Sequence, residues 1–238
     1  MLKNIWAILQ EYSSTFVSGI GVTLALALIG TIFGLFLSLI LTIIRVQVPR
    51  PNDSKIIKIL KRIASGFAKF YVTVFRGTPM IVQAVIFFYS FYQMGIKWSP
   101  FAAGLFTVSL NTAAYLTEVL RGGITSIDKG QVEAARSIGM THFQTFIYIV
   151  FPQAIKNSFA SIGNEFIVNI KDTAVLSTIM VVDIFSVANK AAGKYYLYVE
   201  AMIIAALIYL AITFITSKVL ILIEKKLKVE TKEIVSSN

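Results

Sequence analysis

The sequence contains no cysteine and a single histidine, His142. Disulfide bonds, thiolate metal ligands and cysteine nucleophiles are therefore excluded, and no histidine cluster can bind a metal ion. Charged residues are also scarce, since they make up 14% of the 238 residues while 56% are hydrophobic. A soluble domain usually carries about 25% charged residues. Too few charges remain to cover a water-facing surface, which indicates an integral membrane protein.

Long uncharged runs predict the membrane spans. A spanning helix needs about 20 predominantly apolar residues, and five stretches qualify, of which the fourth is the most interrupted by polar residues. In the first of them, Gly30 and Gly34 form a GxxxG pattern that predicts close packing of another helix. We expect one all-α transmembrane domain over residues 1–238. The expected spans are residues 16–44, 67–95, 99–119, 148–170 and 196–223.

Basic residues predict the orientation, and they give the chain a formal net charge of +10. They are concentrated after the first span and after the fifth, and such an excess is typical of cytoplasmic segments. Five spans then place the N-terminus outside and the C-terminus inside. In a membrane protein this excess does not predict nucleic-acid binding. Pro49 and Pro51 should form a linker into an interfacial helix, Ser54 to Ala64. The basic residues concerned are Arg45, Arg50, Lys55, Lys58, Lys61, Arg62 and Lys69 in the first segment, and Lys225, Lys226, Lys228 and Lys232 in the tail.

The cytoplasmic loop at residues 126–147 should contain two short helices. Asp128 with Gln131, and Thr141 with Gln144, have the spacing of capping boxes. Gly139 lies between them, where a helix end favours a residue that tolerates positive φ. A bare connector in a helix bundle needs about 2–8 residues. We therefore expect this longer loop to dock a partner.

A further pattern in and after the loop consists of Glu133, Ala134, Ala135, Gly139, Ile149, Phe151 and Pro152. This pattern resembles the EAA loop of ABC-importer permease subunits. The family pattern has leucine where this chain has Phe151. Residues 75–83, with the sequence FRGTPMIVQ, resemble the second-span signature of polar amino acid permeases, and residues 163–173 resemble their fourth-span signature.

The resemblance implies the transmembrane domain of a type I ABC importer in the inner membrane of a prokaryote. It also implies two permease subunits around one pathway, two cytoplasmic ATP-binding subunits and an extracytoplasmic solute-binding protein. The EAA loop would form the coupling helix that sits in a groove of the ATPase, with Glu133 and Arg136 in polar contacts and Gly139 allowing close backbone approach. The implied ATPase-coupling residues are Glu133, Ala134, Ala135, Arg136 and Gly139.

The chain has no Walker A loop of its own. The nearest fragment is at residues 192–195. Ala188 stands where the first glycine of the motif should be, five residues before Gly193, and Tyr195 stands where serine or threonine is required. ATP and its magnesium ion are therefore expected on a partner subunit. We expect this chain to be a transporter subunit that binds no cofactor and is not itself an enzyme.

Polar residues within the spans provide candidates for the substrate pathway, because such groups are costly at bilayer depth. An arginine fork suits a substrate carboxylate, so Arg76 with Thr78 could bind one. Glu165, assisted by Asn164 or Asn169, could bind an ammonium group or a cationic side chain. The candidates are Arg76, Thr78, Gln83, Asn111, Asn164, Glu165 and Asn169.

Alternatives remain open for several of these residues and for the whole chain. Arg76 could pair with a carboxylate of the fourth span for assembly alone, and Asn111 could make an interhelical hydrogen bond. An ion-coupled secondary amino acid transporter is the alternative function, but it would leave the EAA pattern without a role. A channel or a scaffold would leave the loop unexplained. The favoured substrate is a polar amino acid of the glutamine or glutamate, basic or cystine class.

Overall fold

The structure is a computed structural model that describes residues 1–47 and 53–226. These residues form helices and connecting turns, with no strand among them. The linker with Pro49, Arg50 and Pro51 and the tail with Lys228 and Lys232 lie outside the described residues. The helices are α1 Leu2–Val46, α2 Lys55–Gly77, α3 Met80–Gln93, α4 Pro100–Thr125, α5 Lys129–Ser137, α6 His142–Thr145, α7 Phe151–Asp172, α8 Ile184–Tyr195 and α9 Tyr198–Lys226. A π-helical turn, Phe146–Val150, joins α6 to α7, and a 3-10 helix, Thr173–Ile179, follows α7.

Two helices, α1 and α9, are long and apolar enough to cross a membrane, and the bent pair α2–α3 passes the same test as one span. Within the described ranges, α4 and α7 do not pass it, because both carry amide, hydroxyl and charged side chains. Much of α4 is buried against its neighbours. Polar side chains of a bundle helix avoid lipid by facing other helices.

The first helix is longer than the expected span, since α1 has 45 residues. At 1.5 Å per residue this gives a length of about 68 Å, about twice the hydrocarbon core of a bilayer. At least one end of α1 must therefore lie outside the apolar layer.

The second expected span, 67–95, is not one helix. The axes of α2 and α3 meet at 107°, with the break at Thr78 and Pro79. A proline disfavours helical backbone at the residue before it, and Thr78 is extended, with φ −121° and ψ 141°. The interfacial helix expected from Ser54 to Ala64 is also not separate, because α2 continues through it to Gly77.

The helices α1 and α4 form the centre of the bundle. A Cβ atom added to Gly30 would lie 2.5 Å from Cγ1 of Val108, and one added to Gly34 would lie 2.8 Å from Cβ of Thr112. Contacts this short would force the neighbouring atoms to move. The absence of a side chain at these two glycines therefore allows α1 and α4 to pack closely. The GxxxG pattern therefore has the packing role that the sequence predicts.

Three clusters of buried apolar side chains attach α2, α3, α8 and α9 to this centre. One joins α1 to α8 and α9, one joins α1 and α4 to α3 and the 3-10 helix, and one joins α1 and α4 to α2. Representative residues are Ile8, Val187 and Ile204 in the first cluster, Leu26, Phe88 and Leu176 in the second, and Leu41, Ala68 and Ala113 in the third.

Candidate functional site

The break between α2 and α3 exposes backbone carbonyl groups that a continuous helix would use. Gln83 satisfies two of them, because its Nε2 donates to the carbonyl oxygens of Phe75 and Thr78 at 3.0 Å each. The same nitrogen lies 2.8 Å from Oγ1 of Thr78. The Thr78 hydroxyl in turn donates to the carbonyl of Val74 at 2.8 Å. Gln83 is buried, and its side chain stabilises the backbone of the bend through these hydrogen bonds.

Asn111 of α4 holds this glutamine in place. Its Nδ2 donates to Oε1 of Gln83 at 3.0 Å and approaches the carbonyl of Phe75 at 3.4 Å. Asn111 is also buried. The interhelical role, which the sequence left open for Asn111, is the one that the contacts support.

Arg76 lies on the exposed side of α2, directly before the break. Its guanidinium carbon lies 5.3 Å from the centre of the Tyr115 ring of α4, which is a cation–π distance. Tyr115 follows Asn111 by one helical turn and was not singled out from the sequence. Tyr115 lies four residues after the polar Asn111, and this spacing on one helix face could have identified it from the sequence.

Glu165 of α7 is a second charged candidate that keeps accessible surface. It is half-buried, and the charges of Arg76 and Asp172 both act on its carboxylate. Within the described part of the chain, Glu165 and Arg76 form no ion pair at 4 Å or less. The neighbouring Asn164 is exposed. The arrangement thus presents a cation and two carboxylates without direct pairing of Arg76 and Glu165.

Asn169 belongs to the bundle core. Its Nδ2 donates to Oγ1 of Thr31 at 2.8 Å and to Oγ1 of Thr112 at 2.9 Å, and these two threonines lie on α1 and α4. The side chain is 2% exposed. Asn169 therefore links three helices, and it does not share the accessible face of Asn164 and Glu165.

The structure thus divides the seven pathway candidates into two groups. The first group keeps accessible surface at the break and on α7, and the second is buried and hydrogen-bonded to backbone or to other helices. The accessible residues are Arg76, Thr78, Asn164 and Glu165. The buried residues are Gln83, Asn111 and Asn169.

The loop between α4 and α7 contains two short helices, with the break at Gly139. The capping box of Thr141 and Gln144 is present in full. Asp128 caps α5 by accepting from the backbone nitrogen of Gly130, but Gln131 does not complete a second box. Its Oε1 accepts instead from Nε2 of Gln153 on α7 at 2.6 Å.

Gly139 has a φ of +88°, which is the left-handed conformation expected after a helix C-terminus. Arg136 closes the same turn, since its Nη1 donates to the carbonyl oxygen of Met140 at 2.5 Å. Ala135 is buried, whereas Glu133, Ala134 and Arg136 are exposed. The coupling candidates therefore lie on a short, accessible helix with a defined end.

Two amide contacts attach this loop to α7. One is the pair Gln131 and Gln153, and the other joins Nδ2 of Asn157 to Oγ of Ser126 at 3.0 Å. Ile138 and Phe143 are 80% and 73% exposed beside α5. The loop is thus anchored to α7 and presents polar and apolar groups away from it.

Comparisons with known proteins agree with this geometry. The pattern of the family described as "Binding-protein-dependent transport system inner membrane component" matches residues 58–229. A putative glutamine transport system permease protein of Rickettsia bellii (strain RML369-C) is 38% identical over 212 residues, covering 89% of this chain and 92% of that protein. An arginine transport system permease protein of Bacillus subtilis (strain 168) is 35% identical over 211 residues, covering 88% and 91%.

A solved structure is also similar. The crystal structure of an amino acid ABC transporter with histidines matches with a TM-score of 0.81 and 35% identity, over 92% of this chain and 96% of that one. The fold is that of a type I ABC importer transmembrane domain, and the resemblance to such permeases is confirmed.

Proteins of this family are subunits of a larger transport complex. These proteins are permease subunits in the inner membrane, they work with solute-binding proteins, and ATP is hydrolysed on a separate subunit. The predictions of a membrane location and of a transporter subunit without its own enzymatic activity are thereby confirmed. The chain belongs to the family of binding-protein-dependent transport system inner membrane components, and it is a permease subunit of an ABC importer.

Proposed function

We propose that this permease forms the pathway for a polar amino acid. The observation that carries the proposal is that Arg76 of α2 and Glu165 of α7, a cation and a carboxylate, both keep accessible surface and form no ion pair with each other among the described residues. A free amino acid carries an α-carboxylate and an α-ammonium group. A guanidinium fork suits the first group, and a carboxylate suits the second. The names of the relatives, which refer to glutamine and arginine transport, support this class.

The accessible residues bind different groups of the substrate. Arg76 and Thr78 bind the carboxylate, while Glu165 and Asn164 bind the ammonium group or a cationic side chain. Tyr115 orients the guanidinium by its ring contact. Gln83, Asn111 and Asn169 contribute indirectly, because they fix the backbone and the helices that form the pathway.

The charges near Glu165 act in opposite directions on the choice of substrate. Asp172 adds a second carboxylate on α7 and favours a basic amino acid, whereas the exposed Lys171 opposes this preference. Glutamine, glutamate, cystine and the basic amino acids therefore form the panel to be tested. Competition among these amino acids for uptake through the complex with its cognate solute-binding protein ranks them as substrates.

Coupling to ATP runs through α5. We propose that Glu133, Ala134 and Arg136, with the exposed Ile138, dock in a groove of a cytoplasmic ATPase, and that Gly139 allows close backbone approach. Two ATP-binding subunits, which hold ATP and magnesium, and a second permease subunit complete the assembly. ATP binding closes the ATPase pair and opens the pathway toward the solute-binding protein outside. This requires the N-terminus outside and the C-terminus inside.

The test uses the full complex in proteoliposomes that enclose ATP. Arg76→Gln and Glu165→Gln should each reduce uptake about 10- to 100-fold, because each removes a charge-assisted contact of roughly 1.5–3 kcal/mol. Lys190→Gln and Glu200→Gln are matched controls on α8 and α9, away from the break, and uptake should remain unchanged. Normal uptake by both site variants in an intact complex would contradict the proposed pathway.

The energy source is tested on the same vesicles. Uptake should require enclosed ATP and should persist when an uncoupler removes the ion gradient. Uptake that an uncoupler abolishes, and that needs no ATP, would point instead to an ion-coupled secondary transporter.

A further inference from the structure

The first half of α2 is not packed into the part of the bundle that the structure describes. None of its residues from Lys55 to Gly66 is buried. The packing of α2 begins at Ala68, which is fully buried with Leu41 of α1 and Ala113 of α4. At 1.5 Å per residue, α2 therefore extends about 20 Å beyond this contact.

One side of α2, along this segment and the turn that follows it, is an exposed apolar stripe. Its members recur at the three- and four-residue spacing of a helix face. Their exposed fractions lie between 55% and 71%. The apolar stripe consists of Ile56, Ile59, Leu60, Ile63, Phe67 and Phe70.

A second side is a basic stripe, formed by Lys55, Lys58, Arg62 and Lys69, which also recur at helical spacing. The helix α2 contains no acidic residue. At 3.6 residues per turn, the centres of the basic and apolar stripes lie roughly 120° apart. The third side carries Ala68 and packs on the bundle. Lys61, which is outside the basic stripe, forms an ion pair of 2.6 Å with Asp53.

The segment also lies at the end of the bundle where spans leave the membrane. Leu41, which Ala68 contacts, is near the C-terminal end of α1 at Val46. Arg45, Glu118 and Arg121 form an ion-pair network at this end. Charged networks of this kind favour the membrane–water boundary over the apolar core.

We propose that the first half of α2 lies in the membrane–water interface and binds anionic phospholipid headgroups. The apolar stripe enters the acyl region, the basic stripe contacts the headgroups, and Ala68 anchors the helix to the bundle. An amphipathic helix with lysine and arginine on its polar side binds membranes in this way. A second copy of the chain is less suited as the occupant, because two such basic stripes repel each other.

The absence of native cysteine in this chain allows a direct test. Single spin labels at positions 56, 59, 63 and 67 are compared with labels at 62 and 69. The full complex, with partner cysteines removed, is placed in vesicles of phosphatidylcholine and phosphatidylglycerol. We expect oxygen to reach the first set and a water-soluble nickel complex to reach the second. Low accessibility to both reagents at 59 and 63, with spin–spin broadening, would show a second copy on the stripe and overturn the proposal.

Headgroup binding is tested separately with spin-labelled lipids. The preference of the complex for phosphatidylglycerol over phosphatidylcholine should fall in the double variant Arg62→Gln, Lys69→Gln, by up to about fivefold for each positive charge removed. The control Lys97→Gln, Lys190→Gln removes the same charge from the turn before α4 and from α8, and should keep the preference. An equal fall in both double variants, or none in either, would contradict a specific role of the basic stripe.

Discussion

Oε1 of Gln83 accepts a hydrogen bond of 3.0 Å from Nδ2 of Asn111, while Nε2 of the same glutamine binds the carbonyls at the end of α2. The pair thus connects the break in the second span to the central helix α4. Because Gln83 and Asn111 are both buried, the 107° bend depends on these two amide side chains.

Replacing Gln83 by leucine should destabilise the complex. The substitution removes the donor to the carbonyls of Phe75 and Thr78 and takes the Gln83 acceptor away from the buried amide of Asn111, and an unsatisfied buried group costs about 1–3 kcal/mol. The midpoint of thermal unfolding of the purified complex should therefore fall. Gln93→Leu is the matched control, since Gln93 is exposed at the end of α3. An equal midpoint for the two variants would show that Gln83 does not stabilise the bend.

Two asparagines of α7 should respond differently to the same change. Asn169→Leu removes the links to Thr31 and Thr112, and should lower stability by about 1–3 kcal/mol. Asn164→Leu should leave stability nearly unchanged but reduce uptake, because Asn164 lies on the accessible face. Unfolding and uptake are measured on both variants. The reverse pattern would exchange the roles assigned to these residues.

Gly34→Ala should disturb the contact between α1 and α4. The new Cβ atom would lie 2.8 Å from the side chain of Thr112, and overpacking of this kind costs about 1–3 kcal/mol. Gly21→Ala is the control on the same helix, because no atom lies within 4 Å of its Cβ position. Chemical unfolding of the complex should show reduced stability for position 34 alone. An equal reduction at position 21 would mean that alanine weakens α1 irrespective of packing.

Gly139→Ala should weaken coupling. No atom lies within 4 Å of the added Cβ, so the effect comes from the backbone, whose φ of +88° costs a non-glycine residue about 1–2 kcal/mol. The turn after α5 should shift, and the uptake per ATP hydrolysed should fall.

Gly122→Ala, with helical backbone and open space around it, should have no such effect. Unaltered coupling in the Gly139 variant would remove the link between the shape of this turn and ATPase docking.

Local features of this fold were readable from short patterns. The capping box of Thr141 and Gln144 and the positive φ of Gly139 are confirmed, because each depends on backbone only a few residues away. The close approach at Gly30 and Gly34 was also predictable, since a missing side chain leaves space for a neighbour. The failed box at Asp128 shows the limit of such patterns, because Gln131 binds the distant Gln153.

The roles of the polar residues within the spans were not readable in the same way. Polar residues such as Gln83, Asn111 and Asn169 are expected to line a pathway. Their amide groups instead form hydrogen bonds to backbone carbonyls and to side chains of neighbouring helices. Arg76 and Glu165 remain accessible instead. Which partner each side chain meets depends on residues up to 138 positions away, as for Asn169 and Thr31.

By itself, the sequence determined that this is a helical membrane protein with a structured loop for a partner. Those conclusions follow from hydropathy and from local backbone chemistry, which act over one or two helical turns. Only the tertiary structure decided where the second span bends and which polar groups remain accessible for a solute. In lipid every polar group must find a partner within the protein, and the choice of that partner is made by the packing of distant helices.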